Sequence, residues 1–144
     1  MWFSKKEATA VTGKTPTGQV TTKAVGDAAE HLALAQLLSA GLTLLETNYR
    51  TPGRGGGEID LIMKDTDGTL VFIEVRQRAS QSHGGAGASI SVVKQKRIVF
   101  AARHYLMRYK TLPPCRFDVV LIHGGPGAGN APAIEWLRSA FDAF

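Results

Sequence analysis

The chain has 144 residues, and 17 lysines and arginines against 12 aspartates and glutamates give it a formal net charge of +5. One domain is expected at this length, and the single cysteine excludes a disulfide framework and a thiolate zinc cluster. The single cysteine fits the reducing cytosol, so we expect a cytoplasmic protein. No apolar run approaches the roughly 20 residues of a membrane span, so we expect that it does not enter the membrane.

The first element predicted in the chain is a helix with an acid on its apolar side. Residues 1–24 lack hydrophobic periodicity and predict a flexible tail, which is followed by a single domain over residues 25–144. The helix covers Val25–Ala40 and ends before Gly41. Glu30 falls within its apolar stripe, where an unpaired carboxylate is costly, so it needs a metal, a cationic partner or a proton. The apolar neighbours of this acid are Ala33, Leu34, Leu37 and Leu38.

Three strands are predicted after this helix, over Leu42–Arg50, Glu58–Asp65 and Thr69–Arg78. The glycine-rich segment Thr51–Gly57 predicts a flexible loop between the first two strands. The sequence Thr66-Asp67-Gly68 joins the second and third strands, and glycine at its last position fits a three-residue hairpin loop.

The length of this hairpin loop decides whether two acids face each other. A three-residue loop pairs Asp65 with Thr69 and places Asp60 opposite Glu74, whereas a two-residue loop sends the two acids to opposite faces. Two carboxylates directly across a ladder are destabilising unless a cation lies between them. Such a pair offers the hard oxygen ligands that Mg²⁺ prefers.

Because successive side chains of a strand point to opposite faces of the sheet, we expect Ile59 and Leu61 to lie together on the face away from the two acids. Arg76 and Arg78 share the face of the acids, where they could bind a phosphate. An alternative interpretation is an exposed hairpin face with a cross-strand pair of Glu58 and Arg76, which would need no ligand. The inward position of Glu30 favours the metal site over this alternative.

A long helix is predicted from Ser91 to Tyr109, within a stretch from Arg76 to Arg116 that contains nine basic residues and no acid. Such a cationic stretch beside an acidic cluster favours a surface for a polyanion. A second apolar stripe recurs every seven residues on the opposite side of this helix, and we interpret it either as packing against another part of the chain or as a dimer contact. Its members are Val93, Phe100 and Met107.

Two further strands, Cys115–His123 and the edge strand Pro132–Leu137, are predicted on either side of the loop Gly124–Ala131. The element order is therefore helix, three strands, helix and two strands. This order predicts a mixed α/β sandwich.

These motifs in this order resemble the YraN-like family of uncharacterised bacterial proteins. The resemblance rests first on Gly57–Ile62 and Val71–Arg78, and it extends from about Gly26 to Asp142. Its other motifs are Gly26–Glu30, Asn48–Arg50, Lys94–Lys96, Arg116–Val120 and Ala140–Phe141. That family is similar to restriction-endonuclease-like nucleases, particularly archaeal Holliday-junction resolvases.

The resemblance implies a restriction-endonuclease-like mixed β-sheet core flanked by helices, and a metal-dependent endonuclease that acts on branched or structured DNA. By this resemblance, Asp60, Glu74 and Glu30 would hold Mg²⁺ or Mn²⁺. Arg76 stands where such nucleases usually have a lysine, and arginine can stabilise a phosphate but cannot accept a proton from water. Either the metal alone then generates hydroxide, or Lys94 does part of that work.

The resemblance and the charge pattern together imply contacts with the nucleic-acid backbone. The residues expected to make them are Asn48, Arg50, Arg78, Lys94, Lys96 and Arg97. Asn48 and Arg50 could instead be strand-end residues without a special role. Two other hypotheses stay open: a catalytically silent nucleic-acid-binding protein with the same fold, and a homodimeric scaffold.

Overall fold

The structure is a computed structural model, which describes residues 22–78, 90–125 and 130–142. The helices are α1 (Thr22–Ser39) and α2 (Val92–Leu106), and the strands are β1 (Thr43–Arg50), β2 (Glu58–Lys64), β3 (Leu70–Arg78), β4 (Cys115–Gly125) and β5 (Asn130–Phe141). The predicted α/β class and the element order α-β-β-β-α-β-β are confirmed. The predicted tail lies outside the described residues, except for its last three positions, which belong to α1.

The five strands form one sheet in the order β1-β2-β3-β4-β5. Strands β3 and β4 are parallel, and the other neighbours are antiparallel. Parallel neighbours need a crossover connection, and α2 provides it between β3 and β4. The crossover brings the first turn of α2 to the part of the sheet where β3 ends.

The two helices cover opposite faces of the sheet, so the central strands are buried on both sides. The α1-side core contains Ala29, Ala33, Leu37, Leu61, Met63, Val71, Ile73, Val120 and Ile122. The α2-side core contains Ile59, Ile62, Leu70, Phe72, Ile98, Ala101, Ala102, Tyr105, Leu106 and Phe117. Burial of each large side chain contributes about 1.5–3 kcal/mol, which holds the sheet between its helices.

The hairpin between β2 and β3 has the three-residue loop that its glycine predicts. The Asp65 N–H donates to the Thr69 carbonyl at 2.9 Å, and the Gly68 N–H donates to the Asp65 carbonyl at 3.0 Å. Gly68 has a φ of +91°, a left-handed conformation that glycine adopts without steric cost. The ladder then runs regularly to the pair of Leu61 and Ile73.

The last strand is longer than predicted, because β5 starts at Asn130 and continues past Leu137 to Phe141. A bulge between the pairs made by Phe117 and Val119 allows this continuation. Asp118 fills the bulge, with its carboxylate accepting hydrogen bonds from the Ser139 N–H and the Trp136 indole, both at 2.9 Å. Residues 126–129 of the predicted loop before this strand lie outside the described residues.

Both helices differ slightly from their predicted bounds. Helix α1 begins three residues before Val25, and α2 ends three residues before Tyr109. At this end of α2 the Met107 N–H donates to the His104 carbonyl at 3.2 Å and tightens the last turn.

Within the part of the chain that the structure describes, neither helix is long and apolar enough to cross a membrane.

Candidate active site

Asp60 on β2 and Glu74 on β3 lie on neighbouring strands in a buried part of the sheet. Continuing the ladder beyond Leu61 and Ile73 places these two residues across from each other, as the three-residue loop predicts. The Glu74 side chain is only 8% exposed, and after burial the charge of Asp60 is the next cause that raises its pKa. Two ionised carboxylates opposite each other on neighbouring strands repel each other. The pair is therefore stabilised by a proton or by a cation.

The two strands separate at Asp60. Every second residue pair of an antiparallel ladder is hydrogen-bonded. Because Asp65 and Thr69 form such a pair, a regular ladder would also have one at Ile59 and Val75. The ladder instead ends at Leu61, and the Val75 N–H donates to Oδ2 of Asp60 at 2.9 Å. This bond anchors the carboxylate at the point where the sheet opens.

The prediction that Ile59 shares a face with Leu61 was wrong. Ile59 packs in the α2-side core, whereas Leu61 packs in the α1-side core. Gly57 gives the physical reason, because a Cβ atom there would lie 2.0 Å from the carbonyl oxygen of Arg97 in α2. The start of β2 therefore lies directly against α2. The regular alternation of side chains along β2 is interrupted at Asp60, so that Ile59 and Leu61 face opposite sides of the sheet.

The electrostatics of the pair reflect its burial. Burial and then the charge of Asp60 raise the pKa of Glu74 to about 7, although Lys94 and Arg76 oppose the shift. Burial also raises the pKa of Asp60, against the hydrogen bond from Val75. Both acids therefore favour their protonated form more than a surface acid does.

Lys94 provides a positive charge beside the pair. Its Nζ lies 3.5 Å from Oε2 of Glu74, and its side chain is 39% exposed. Ser91 fixes the first turn of α2 by accepting a hydrogen bond from the Lys94 backbone N–H at 3.1 Å. Lys94 is thus held where the helix begins, next to the opening between β2 and β3.

Glu30 reaches the same region from α1. It is half-buried. Burial, followed by the charges of Asp60, Asp27 and Glu58, raises the pKa of Glu30 to about 7, although the Asn48 side chain opposes the shift. Among the described residues, no three His, Cys, Asp or Glu side chains are arranged to hold one ion together, so Glu30 approaches the pair without completing a three-ligand group.

These raised pKa values predict that, in the absence of divalent ions, stability falls as the pH rises. Between the ordinary pKa of 4.5 and the folded-state pKa of about 7, the folded protein binds more protons than the unfolded chain. We therefore expect the free energy of unfolding to decrease from pH 5 to pH 8. Glu74→Gln should gain about 2 kcal/mol over wild type at pH 8 and little at pH 5, as measured by urea unfolding. Equal pH profiles for the two proteins would contradict the assigned shift.

Comparison with known proteins places the chain in a family. The sequence profile of the uncharacterised protein family UPF0102 matches residues 29–122. A UPF0102 protein of Polaromonas naphthalenivorans (strain CJ2) is 65% identical over 152 residues, which cover 99% of each chain. The chain belongs to the UPF0102 family. The predicted resemblance to the uncharacterised YraN-like family is thereby confirmed.

Other UPF0102 proteins are similar over most of their length. One from Albidiferax ferrireducens is 65% identical over 123 residues, which cover 85% of this chain and 91% of that protein. One from Cupriavidus pinatubonensis is 51% identical over 127 residues, which cover 88% of this chain and 92% of that protein.

The remaining predicted residues are spread over β1, β3 and α2, and Lys96 lies beside Phe100, Arg103 and Asp142. Arg76 is half-buried and close enough to lower the pKa of Glu74, whereas Arg78 lies at the end of β3 across from His123. Glu58 pairs with Arg50 at 3.6 Å, so the alternative pair of Glu58 with Arg76 is not the one that this UPF0102 chain forms. The exposed cations on the first half of α2 are Lys96 and Arg97.

The hydrogen bonds that close the loop Thr51–Gly57 before β2 were not predicted from the sequence. The Thr51 N–H donates to the Gly57 carbonyl at 3.1 Å, and the Gly57 N–H donates to the Thr51 hydroxyl at 2.8 Å. The predicted flexible loop of this UPF0102 chain is therefore fixed at its base. A threonine at the first loop position and a glycine directly before a strand were the available signals. Only the structure shows that the two residues bond to each other.

Proposed function

We propose that the chain is a metal-dependent endonuclease, a hydrolase of phosphodiester bonds in branched or structured DNA. One observation carries the proposal: Asp60 lies across from the buried Glu74 where two strands separate, with the Lys94 ammonium group 3.5 Å from Glu74. Carboxylates that must share a proton or a cation are typical of magnesium-binding sites.

The donor chemistry of the pair fits Mg²⁺ or Mn²⁺. Such ions are usually bound by one or two carboxylates, with water and phosphate oxygens in the other positions. Asp60 and Glu74 would hold the ion directly, and Glu30 would act from α1 through a water molecule. When bound there, the ion would supply Lewis-acid chemistry to the phosphate and lower the pKa of its own water.

Arg76 and Lys94 would stabilise negative charge on the phosphate. Arg76 follows Glu74 by two residues on β3 and remains protonated at any relevant pH. Lys94 would cease to be the counter-ion of Glu74 once a metal is bound, so its ammonium group could donate to a phosphate oxygen. Neither side chain has to accept the proton of the attacking water.

Several exposed or half-buried side chains on β1, β3 and α2 would contact the DNA backbone. They are Asn48, Arg50, Arg78, Lys94, Lys96 and Arg97. Because each neutralised phosphate releases bound counter-ions, the affinity should fall steeply as salt is added. The proposal therefore includes nucleic acid as partner and a cytoplasmic location, where the free thiol of Cys115 stays reduced.

The salt dependence gives a direct prediction for the α2 cations. The double variant Lys96→Ala/Arg97→Ala should reduce the slope of log affinity against log salt by about 1.5–2, because two phosphate contacts are lost. Lys64→Ala is the matched control, since this exposed lysine lies at the other end of β2. Fluorescence anisotropy with a labelled four-way junction measures both slopes. A slope unchanged in the double variant would remove α2 from the DNA-binding surface.

The proposed activity is tested by incubating the purified protein with DNA in the presence of Mg²⁺ or Mn²⁺. The substrates are a four-way junction, a flap, a single strand and a blunt duplex. We expect cleavage of at least one branched or single-stranded substrate, and none by Asp60→Asn. If wild type binds neither ion, the enzyme proposal fails.

A catalytically silent nucleic-acid-binding protein is the second candidate. The observation that favours it is the ion pair of Lys94 with Glu74, because the lysine already supplies the positive charge that the acids need. DNA binding without cleavage, and with no effect of Mg²⁺ or Mn²⁺ on unfolding, would favour this candidate.

We also propose that the protein forms a homodimer through the exposed apolar stripe on α2. Val93, Phe100 and Met107 are 65%, 54% and 76% exposed. An antiparallel contact centred on Phe100 would pair Val93 with Met107 of a second copy, but it would also bring Arg97 close to Arg103. This like-charge contact predicts a dimer that forms more readily at high salt.

A further inference from the structure

Cationic and aromatic side chains meet where α2 ends beside β1. The Tyr49 hydroxyl lies 2.6 Å from Nδ1 of His104, and the centres of the Tyr49 and Tyr105 rings are 5.3 Å apart in an edge-to-face contact. The guanidinium carbon of Arg108 lies 3.9 Å from the centre of the Tyr105 ring and 5.9 Å from that of Tyr49. These residues form the Arg108 cluster, which joins an edge strand of the sheet to the end of α2.

Arg108 is exposed, yet two contacts hold its side chain in place. Its Nε donates to the Tyr105 carbonyl at 3.1 Å, and its guanidinium group lies over Tyr105, which is 4% exposed and packed in the α2-side core. Among the described residues, no acid forms an ion pair with Arg108. A guanidinium group fixed before binding loses little conformational freedom when it binds an anion. Its terminal nitrogens match a phosphate group with two parallel hydrogen bonds.

The cluster continues a face of α2 that begins at the proposed metal site. Residues three, four and seven apart lie on one face of a helix, so Arg97 and His104 share a face with Ala101 between them. This face borders the start of β2, because a Cβ atom added at Gly57 would lie 3.0 Å from Ala101. Lys94 lies one turn before Arg97, where its ammonium group pairs with an acid of the site. A line of cationic side chains thus leads from the site along α2 to the cluster.

The length of this face fits a DNA arm. At about 1.5 Å per residue, the chain advances about 21 Å from Lys94 to Arg108. A DNA duplex rises about 3.4 Å per base pair, so the same distance covers about six base pairs. An arm that enters the site along this face would place backbone phosphates over both side chains at once.

We infer that the Arg108 cluster is a second phosphate-binding site, which holds the backbone of a DNA arm about six base pairs from the Asp60–Glu74 pair. The inference rests on the nucleic-acid partner in the proposed function and assigns a binding role to residues outside the metal site. Arg108 would donate to two oxygens of one phosphate. With the Tyr49 hydroxyl donating to Nδ1, a neutral His104 carries its proton on Nε2, which can donate to a neighbouring phosphate.

Replacing the arginine tests the site. Arg108→Ala should weaken binding of a labelled four-way junction by about 10-fold and reduce the slope of log affinity against log salt by about 0.9, because one phosphate contact is lost. Arg138→Ala is the matched control and should keep the wild-type slope. Arg138 is also exposed, and its guanidinium carbon lies 4.1 Å from the centre of the Trp136 ring, but it lies on β5 at the opposite edge of the sheet. Fluorescence anisotropy in EDTA, at several salt concentrations, measures both slopes.

A purely structural role for Arg108 predicts different results. As a cation at the carbonyl end of α2, it would affect the melting temperature but not the salt dependence of DNA binding. Arg108→Lys keeps the charge and loses the planar fork of donors, so we expect the wild-type slope with an affinity about 3-fold lower. Wild-type affinity in this lysine variant would contradict the fixed, two-point contact.

The length of the DNA arm tests where the site lies. A junction whose arms are closed by hairpin loops after about four base pairs cannot reach the cluster, so Arg108→Ala should bind it as wild type does. Equal slopes for Arg108→Ala and Arg138→Ala on the long-armed junction would overturn the inference alone. Absence of junction binding by wild type would overturn the nucleic-acid partner and this site together, whereas binding without cleavage would overturn only the endonuclease activity.

Discussion

Glu74→Gln and Asp60→Asn are each expected to weaken Mg²⁺ or Mn²⁺ binding by about 100-fold or more, because each removes a charged ligand from the ion. The amide groups nearly preserve the size of the side chains. In Asp60→Asn, the amide oxygen could still accept the hydrogen bond of the Val75 N–H, which spans 2.9 Å in wild type. The fold should therefore survive both changes. Titration calorimetry and the cleavage assay measure the two losses.

Glu135→Gln is the matched control for these variants. Glu135 is an exposed carboxylate on β5, where its Oε1 lies 3.3 Å from Nε2 of His123. This variant should bind Mn²⁺ with wild-type affinity. If Glu74→Gln binds Mn²⁺ as tightly as Glu135→Gln does, the ion lies elsewhere and the proposed site is wrong.

Gly57→Ala is expected to lower the free energy of unfolding by about 3 kcal/mol, because the added methyl group enters a closely packed contact. Its Cβ atom would lie 2.0 Å from the carbonyl oxygen of Arg97 and 3.0 Å from Ala101. These are helix backbone and core atoms that cannot rotate away. Urea unfolding measures the loss, and any folded fraction should also show weaker Mn²⁺ binding, since β2 would move relative to α2.

Gly53→Asn is the control for this prediction. Gly53 has a φ of +88°, a Cβ atom added there would meet no other atom within 4 Å, and asparagine tolerates a left-handed backbone. We expect a loss below about 1 kcal/mol for this change. If the two glycine variants unfold at the same urea concentration, the close approach of β2 to α2 is not what fixes the start of the strand.

Burial alone does not identify a functional acid in this protein. Asp118 is 1% exposed, which is less than Glu74, yet its oxygens accept hydrogen bonds from the Arg116 side chain, the Trp136 indole and the Ser139 backbone. This carboxylate has fixed donors on both oxygens, and it stabilises the bulge between β4 and β5. Asp60 and Glu74 instead face each other across neighbouring strands, and burial raises the pKa of both, so a cation between them would relieve their repulsion.

The amino-acid sequence by itself determined the element order and the position of Asp60 across from Glu74. Both follow from local rules: side chains alternate along a strand, and glycine at position 68 fixes a three-residue turn. An acid within an apolar helix stripe also marked Glu30 in advance. These signals depend only on residues that are near each other in the chain.

Only the tertiary structure decided how the strands separate at Asp60 and where Lys94 lies. Each depends on contacts between distant segments: Gly57 against α2, and Lys94 beside Glu74. Strand alternation placed Ile59 on the wrong face because it assumes a regular ladder, whereas packing of β2 against α2 interrupts that ladder. Periodicity describes an element on its own, and the energy of packing two elements together can outweigh it.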